Sequence, residues 1–286
     1  MRPDRRGLLG LAAVGVLTAA CGSPARTDHP APGTARRIRY GTAHPDQYGD
    51  LLVPARPRAL VVLLHGGYWS AQYGADLMAP LAADLAGHGI ATWNLEYRRV
   101  GDGGGWPTTF TDVAAGVDHV AALPVARGLP VIAVGHSAGG QLAVWASSRS
   151  ARTPGGAPVA RPGAILSLSG VLDLGAAAAE GLGGGAAEAL LGGTPDQEPA
   201  RYAAGDPMRL VPATGPVVAF HAEQDEIVPR SQSTAYVAAD SRAGGTATLT
   251  LVPGGHFDLI DPASAAWSRI RAEILRRADP HGAREG

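Results

Sequence analysis

The sequence predicts an open, mostly parallel α/β sheet with helices on both faces. Three observations carry that expectation. Short uninterrupted Val/Ile/Leu runs recur along the chain, as in strands buried on both faces of a parallel sheet. Longer Ala- and Leu-rich segments of helical length separate those runs. The 286 residues are 45% hydrophobic and 17% charged, ample apolar material for one large core or two small ones. A wholly disordered or fibrous chain is excluded despite 40 Gly and 23 Pro.

In chain order, the first segment reads as an address. Residues 1–6 are charged and Gly7 to Ala20 is a 14-residue apolar run, too short for the ~20 residues of a spanning helix. It ends in Leu17-Thr18-Ala19-Ala20-Cys21, which resembles a bacterial lipoprotein signal with Cys21 as the acylated residue, while Arg5-Arg6-Gly7-Leu8-Leu9 resembles a twin-arginine export signal. The expected organisation is a signal over 1–20, a flexible Ser/Pro/Ala/Thr/Gly tether over 21–35 and a folded α/β domain over 36–280. The expected location follows: exported, and anchored to the outer face of the cell membrane through a lipid at Cys21 or else secreted.

Strands are expected at Ala59–Leu64, Ile90–Leu95, Pro130–Gly135, Gly163–Leu168, Val217–His221 and Thr246–Val252. Helices are expected near Asp76–Gly87, Phe110–Leu123, Ala138–Arg149, Ser231–Arg242 and Ser264–Ala278. Two segments break the alternation. Gly101–Pro107 is a glycine loop holding a Trp, and Leu174–Pro199 reads either as a weak helix with a flexible loop, a cap over the site, or as a disordered insertion. In such sheets ligands bind outside the carboxyl ends of the strands, so the residues just after each strand deserve the search.

Composition removes several function classes. Net charge is −1, all 24 basic residues are Arg, and no basic run exceeds two residues, which argues against a nucleic-acid surface. One cysteine permits neither an intramolecular disulfide nor a Cys-based zinc site, and the nine His are scattered without paired helical spacing. Neither metal nor cofactor is expected.

Four strand ends carry residues suited to chemistry. After Val131–Val134 comes Gly135-His136-Ser137-Ala138-Gly139, a Gly-x-Ser-x-Gly pattern leading into a helix. With 40 glycines in the chain the pattern alone is weak; the strand before it and the helix after it supply the context of a nucleophile turn, where flanking glycines avoid collision. After Leu60–Leu64 comes His65-Gly66-Gly67-Tyr68-Trp69, a loop suited to aim backbone N–H groups at an oxyanion. Asp225 follows Val217–Phe220 and His256 follows Leu249–Val252. The order Ser137, Asp225, His256 supplies a nucleophile, the acid that orients a base, and the base itself.

With these residues the chain resembles the α/β-hydrolase family over nearly all of Tyr40 to Ala278. His65-Gly66-Gly67-Tyr68-Trp69 with Gly135-His136-Ser137-Ala138-Gly139-Gly140 is similar to the esterase branch near hormone-sensitive lipase, which includes kynurenine formamidases and acetyl-xylan and feruloyl esterases. The resemblance implies a cofactor-free hydrolase working through an acyl-enzyme. It implies Ser137 as nucleophile, His256 as general base, Asp225 as orienting acid, and the N–H groups of Gly67, Tyr68 and Ala138 as oxyanion donors. Many relatives have a third Gly where this chain has Tyr68, a departure that narrows the acyl pocket.

The remaining candidates have plainer readings. His65 braces its loop, His136 points into its surroundings, and His221, Glu223 and Asp173 are alternative acids or ligands. Glu96-Tyr97-Arg98-Arg99 either holds the Gly101–Pro107 loop by ion pairing or forms a solvated edge. The expected function is hydrolysis of carboxylic esters of short to medium acyl length, on a small-molecule substrate. Rival readings are an arylformamidase acting on N-formylkynurenine, an exported serine peptidase of the same fold, and a catalytically silent tethered binding protein.

Overall fold

The computed structural model describes residues 33–279; the signal expected over 1–20, Cys21 and nearly all of the tether lie outside the described residues. Eight strands form one sheet: β1 (Arg36–Arg39), β2 (Tyr48–Leu52), β3 (Ala59–Leu64), β4 (Ile90–Leu95), β5 (Val131–His136), β6 (Ala164–Leu168), β7 (Val217–Ala222) and β8 (Thr248–Val252). Their spatial order is β1-β2-β4-β3-β5-β6-β7-β8. β1 and β2 pair antiparallel, as do β2 and β4, and every other pairing is parallel.

The six expected strands are present, β3 and β4 with the expected bounds and the other four with ends shifted by a residue or two, and all six positions of both β3 and β4 are buried. Pleating sends alternate residues to opposite cores. Leu60, Val62 and Leu64 join one cluster with α2 (Thr108–Asp118) and α3 (Ala138–Ser147). Ala59, Val61 and Leu63 join the other with α1 (Ala79–Gly87) and α8 (Ala265–Ala278). β1 and β2 went unpredicted because Arg36-Arg37-Ile38-Arg39 has no apolar run. Its charges suit an edge: Arg37 pairs with Asp50 on β2 at 2.9 Å and lies over the Tyr48 ring.

Three expected helices are shorter than their patterns, α3 by only two residues at its end. Pro80 lacks an amide proton and is tolerated only in a first turn, so a tight turn at Ala75–Met78 precedes α1 instead of continuing it. α2 ends at Asp118 and its last apolar residues form another tight turn, His119–Ala122. α7 (Ser231–Arg242) matches its expected span, and α8 starts on the Ser264 hydroxyl, which accepts from the Trp267 amide at 2.9 Å. No described helix is long and apolar enough to cross a membrane.

Of the two readings of Leu174–Pro199 the helical one holds, with two short helices in place of one, and the disordered insertion does not. The segment folds as α4 (Leu174–Ala179) and α5 (Ala186–Leu191) and leads into α6 (Pro199–Gly205). Buried Leu174, Ala177, Leu190 and Leu191 join the α2/α3 core. Alanine-rich composition hid this, since burying small side chains leaves little hydrophobic period to read. The ion pairs after β4 also differ from expectation. Arg98 forks onto Asp112 of α2 at 2.7 Å, and Arg99 bridges Glu96 and Asp46. The glycine loop is held by its backbone instead: the Gly104 amide donates to the Arg99 carbonyl at 2.9 Å, and a side chain at Gly104 would strike the Arg98–Arg99 backbone at 2.4–2.5 Å.

Candidate active site

β5 delivers Ser137 to a sharp turn into α3. The residue sits at φ 56°, ψ −121°, a conformation costing a non-glycine residue about 1–3 kcal/mol that the surroundings must hold in place. They do so on both sides: the Ser137 amide donates to the Leu168 carbonyl at 2.8 Å, and the Ser137 carbonyl accepts from Gly140 at 2.9 Å. The motif glycines are needed for space. A Cβ on Gly135 would sit 2.0 Å from the Gly139 carbonyl oxygen, and one on Gly139 would sit 2.2 Å from that of Leu64.

The turns after β7 and β8 bring Asp225 to His256. His256 Nδ1 lies 2.7 Å from Asp225 Oδ2, and both side chains are almost wholly buried. The other oxygen of Asp225 accepts from the amides of Ile227 at 2.9 Å and Val228 at 2.8 Å. Burial pushes the Asp225 carboxyl up, but hydrogen bonds from His256, the Ser169 hydroxyl and the Val228 amide outweigh it and hold the group well below the usual carboxylate range. An ionised Asp225 keeps the proton on Nδ1 and leaves Nε2 free to accept one. Ser137 and His256 line one cavity, with no hydrogen bond between them among the described residues; such contacts commonly tighten only around substrate.

The neighbouring histidines have fixed jobs. His136 Nε2 donates to the His256 carbonyl at 3.0 Å with the two rings 4.4 Å apart. Burial, together with the nearby His256, pushes its imidazole down to about 3, so it is neutral. His221 contacts the Ser233 hydroxyl at 2.9 Å and donates to the Val228 carbonyl at 3.1 Å, bracing the turn that presents Asp225. Asp173 caps α4 by accepting from the Ala176 amide at 2.8 Å, and Glu223 is exposed. Neither of these two acids reaches His256.

The loop after β3 runs through positive φ at Gly67 (104°), Tyr68 (53°) and Trp69 (55°). The Tyr73 side chain fills the place where a Cβ on Gly67 would stand. Beneath the loop His65 is fully buried, stacked on Tyr97 at 4.4 Å, with Nδ1 2.8 Å from the Gly66 carbonyl and Nε2 3.0 Å from Glu96. Both ring nitrogens face oxygen atoms, which fixes the orientation of the ring beneath the loop. Burial pushes Glu96 up, yet His65, Arg99 and the Ala75 amide together hold it below its ordinary value. Trp69 is buried with its indole N–H on Gln141 at 3.1 Å, so only Tyr68 of that pair lines the cavity. Among the described residues the N–H groups of Gly67, Tyr68 and Ala138 have no protein acceptor, which leaves them available to an oxyanion.

The cavity is small, about 60 Å³, against ~300–1,000 Å³ for sites that enclose drug-sized ligands. Besides Gly67, Tyr68, His136, Ser137 and His256, it is lined by Tyr73, Leu77, Ile227 and Phe257. Sequence reasoning missed these four. Ile227 and Phe257 lie within two residues of Asp225 and His256 and were findable by that adjacency; Tyr73 lies in irregular chain and Leu77 in the tight turn before α1, with no such signal. Among the described residues His44, Asp46 and Asp102 form one group of potential metal ligands. Arg99 already engages Asp46 at 2.6 Å, and none of the three lines the Ser137 cavity.

The BD-FAE family model matches residues 50–239, a span that includes the 65–69 loop, Ser137 and Asp225. The chain belongs to the BD-FAE family. No curated protein matches this BD-FAE chain. Among solved structures it is similar to a truncated carbohydrate esterase from gut microbiota, with 20% identity, TM-score 0.72, and coverage of 87% of this chain and 97% of that one. Esterase B of Lactobacillus Rhamnosis is similar at 22% identity and TM-score 0.74, with coverage of 88% and 86%. A thermophilic esterase of the planctomycete Thermogutta terrifontis is similar at 21% identity and TM-score 0.67, with coverage of 91% and 96%. Likeness at these identities establishes the fold of the BD-FAE chain, that of the α/β hydrolases.

Proposed function

We propose that this BD-FAE protein is a serine hydrolase that cleaves carboxylic esters of short to medium acyl length, on a small-molecule substrate. The observation that carries the reading is the 2.7 Å bond from His256 to an ionised Asp225, on a cavity shared with Ser137 and lined by the oxyanion loop. His256 Nε2 takes the Ser137 proton as Oγ attacks the carbonyl carbon. The N–H groups of Gly67, Tyr68 and Ala138 receive the developing charge, and Asp225 stabilises the imidazolium. His256 then passes the proton to the departing alcohol, and water attacks the acyl-enzyme by the same route. The esterase names of the similar solved structures support the bond type, and the small cavity supports a short acyl group.

The test is hydrolysis by the domain without its first 21 residues of p-nitrophenyl acetate, butyrate and octanoate, methyl ferulate, acetylated xylan and N-formylkynurenine. The expected result is preference for the short esters, lost by about 10⁴-fold or more in Ser137→Ala. Preference for N-formylkynurenine, or undiminished turnover in Ser137→Ala, would overturn the proposal. The proposal extends to location: an exported protein, lipid-anchored at Cys21. Loss of membrane-fraction recovery and of labelled fatty-acid incorporation in Cys21→Ser would support that part, and unchanged behaviour would remove it.

A further inference from the structure

Phe257 is 61% exposed although it immediately follows the triad base. Of the four exposed large hydrophobic residues among those described (Val53, Tyr73, Val159 and Phe257), two line the Ser137 cavity. They stand on different parts of the machinery. Tyr73 packs against Gly67 of the oxyanion loop, whereas Phe257 meets the His256 ring edge-on, with centroids 5.4 Å apart and planes at 83°, and leans on His136 at 6.2 Å.

The chemistry of the acylation step assigns these two sides. His256 must hand its proton to the ester oxygen of the departing alcohol, so that alcohol lies beside the His256 ring when the C–O bond breaks. The cavity at Ser137 holds only about 60 Å³, and anything bulky on the alcohol must extend out of it past His256. The exposed Phe257 ring is what it meets there. Among the described residues no carboxylate or guanidinium lines the cavity to pair with a charge.

Resting on the esterase reading above, we propose that Phe257 is the specificity residue for the alcohol side of the ester, and that it favours uncharged alcohols with a flat apolar or aromatic group. The scissile bond, the Ser137 nucleophile and the acetyl-enzyme are the same for any acetate ester. The effect of Phe257 is confined to acylation, where the C–O bond breaks and the alcohol leaves with the His256 proton, and kcat/KM reports that step.

The experiment compares benzyl acetate with ethyl acetate, which release alcohols of similar acidity and leave the same acyl-enzyme. In Phe257→Ala the ratio of kcat/KM for benzyl over ethyl acetate is expected to fall about tenfold, the scale of one lost aromatic contact with its buried area. Phe257→Leu, which keeps apolar area without the ring face, should fall between. An unchanged ratio overturns the proposal. So does a shift confined to acyl length, read as benzyl butyrate over benzyl acetate, because it would put Phe257 on the acyl side. Phe257 is exposed, so its truncation leaves the core packing in place, and thermal unfolding checks that each variant stays folded. Should the wild-type protein show no Ser137-dependent hydrolysis of either acetate, the esterase reading itself fails; if it hydrolyses both and the ratio stands, only the role of Phe257 fails.

Discussion

His136, the residue before Ser137, donates from Nε2 to the backbone carbonyl of His256 at 3.0 Å, tying the turn after β8 to the turn that holds Ser137. Burial and the nearby His256 push His136 down to about 3, against an ordinary value of 6.5. A buried imidazole held neutral favours the fold fully above pH 6.5, and that contribution is lost as pH falls toward 3, because the unfolded chain takes up the proton first. His136 therefore accounts for about 2–3 kcal/mol of stability lost between pH 6.5 and pH 4.5. His221, also pushed down by burial, adds to the slope, while Asp206, raised to about 6 by burial, opposes it in any variant. The difference between proteins is thus the readout. Urea midpoints at the two pH values should separate less in His136→Asn than in the wild type; equal separations would refute the assignment.

The two oxygens of Asp225 do different work, and Asp225→Asn separates them. Oδ1 accepts from the Ile227 and Val228 amides, so the amide oxygen of the replacement would take that side. Its NH₂ would then face His256 Nδ1, which must become an acceptor and carry its proton on Nε2. An Nε2–H cannot remove the Ser137 proton. The expected fall in kcat is about 10⁴-fold with little change in the thermal midpoint. Near-normal turnover in this variant would mean that another group orients the base.

Much of this architecture is written locally. The turn holding Ser137 was legible because strand, glycines and helix are adjacent in sequence, and Asp225 and His256 were legible because each closes a strand in the expected chain order. What was hidden depends on distant partners. Arg36–Arg39 becomes a strand only because β2 offers a register, with Asp50 opposite Arg37. The Arg98 and Arg99 pairings lead to Asp112 and Asp46, residues whose proximity no spacing rule announces. α4 and α5 are rich in alanine, so their burial depends on the neighbours they pack against, and Gly183 between them comes to rest on the Tyr68 ring.

Two glycine-to-alanine substitutions should act in opposite directions. At Gly139 the new Cβ would stand 2.2 Å from the Leu64 carbonyl oxygen and 2.4 Å from that of His65, both main-chain atoms that cannot step aside cheaply. Gly139→Ala is expected to cost ~3 kcal/mol or more and to abolish activity, since the displaced segments carry Ser137 and the oxyanion loop. At Gly87, the last residue of α1, a Cβ meets nothing within 4 Å. Gly87→Ala should stabilise by about 0.5–1 kcal/mol through helix propensity and a less flexible unfolded chain, with kinetics unaltered. Chemical denaturation of both variants tests the pair, and a stable, active Gly139→Ala protein would contradict the packing described for the nucleophile turn.

Glu96 helps fasten the loop that begins at His65 to the rest of the molecule. Its Oε1 accepts from His65 Nε2 at 3.0 Å, the Tyr97 amide at 2.9 Å and Arg99 Nη1 at 2.5 Å, while Oε2 accepts from the Ala75 amide at 2.9 Å. Glu96→Gln leaves one oxygen for four donors and turns an NH₂ toward at least one of them. Arg99 keeps Asp46, but His65 loses the carboxylate that its second nitrogen faces. Breaking a buried pair from one side costs about 3–5 kcal/mol, which for a domain of this size lowers Tm by roughly 6–12 °C or more. The Ala75 tie lies just beyond Tyr73, whose side chain packs on Gly67, and His65 begins the same loop. Loosening both should lower kcat by about tenfold, less than the 10²–10³ for losing an oxyanion donor outright. Glu96→Asp, which keeps the charge on a shorter arm, should recover part of both effects. A Tm within 2 °C of wild type in Glu96→Gln would show that the carboxylate does not fasten the loop.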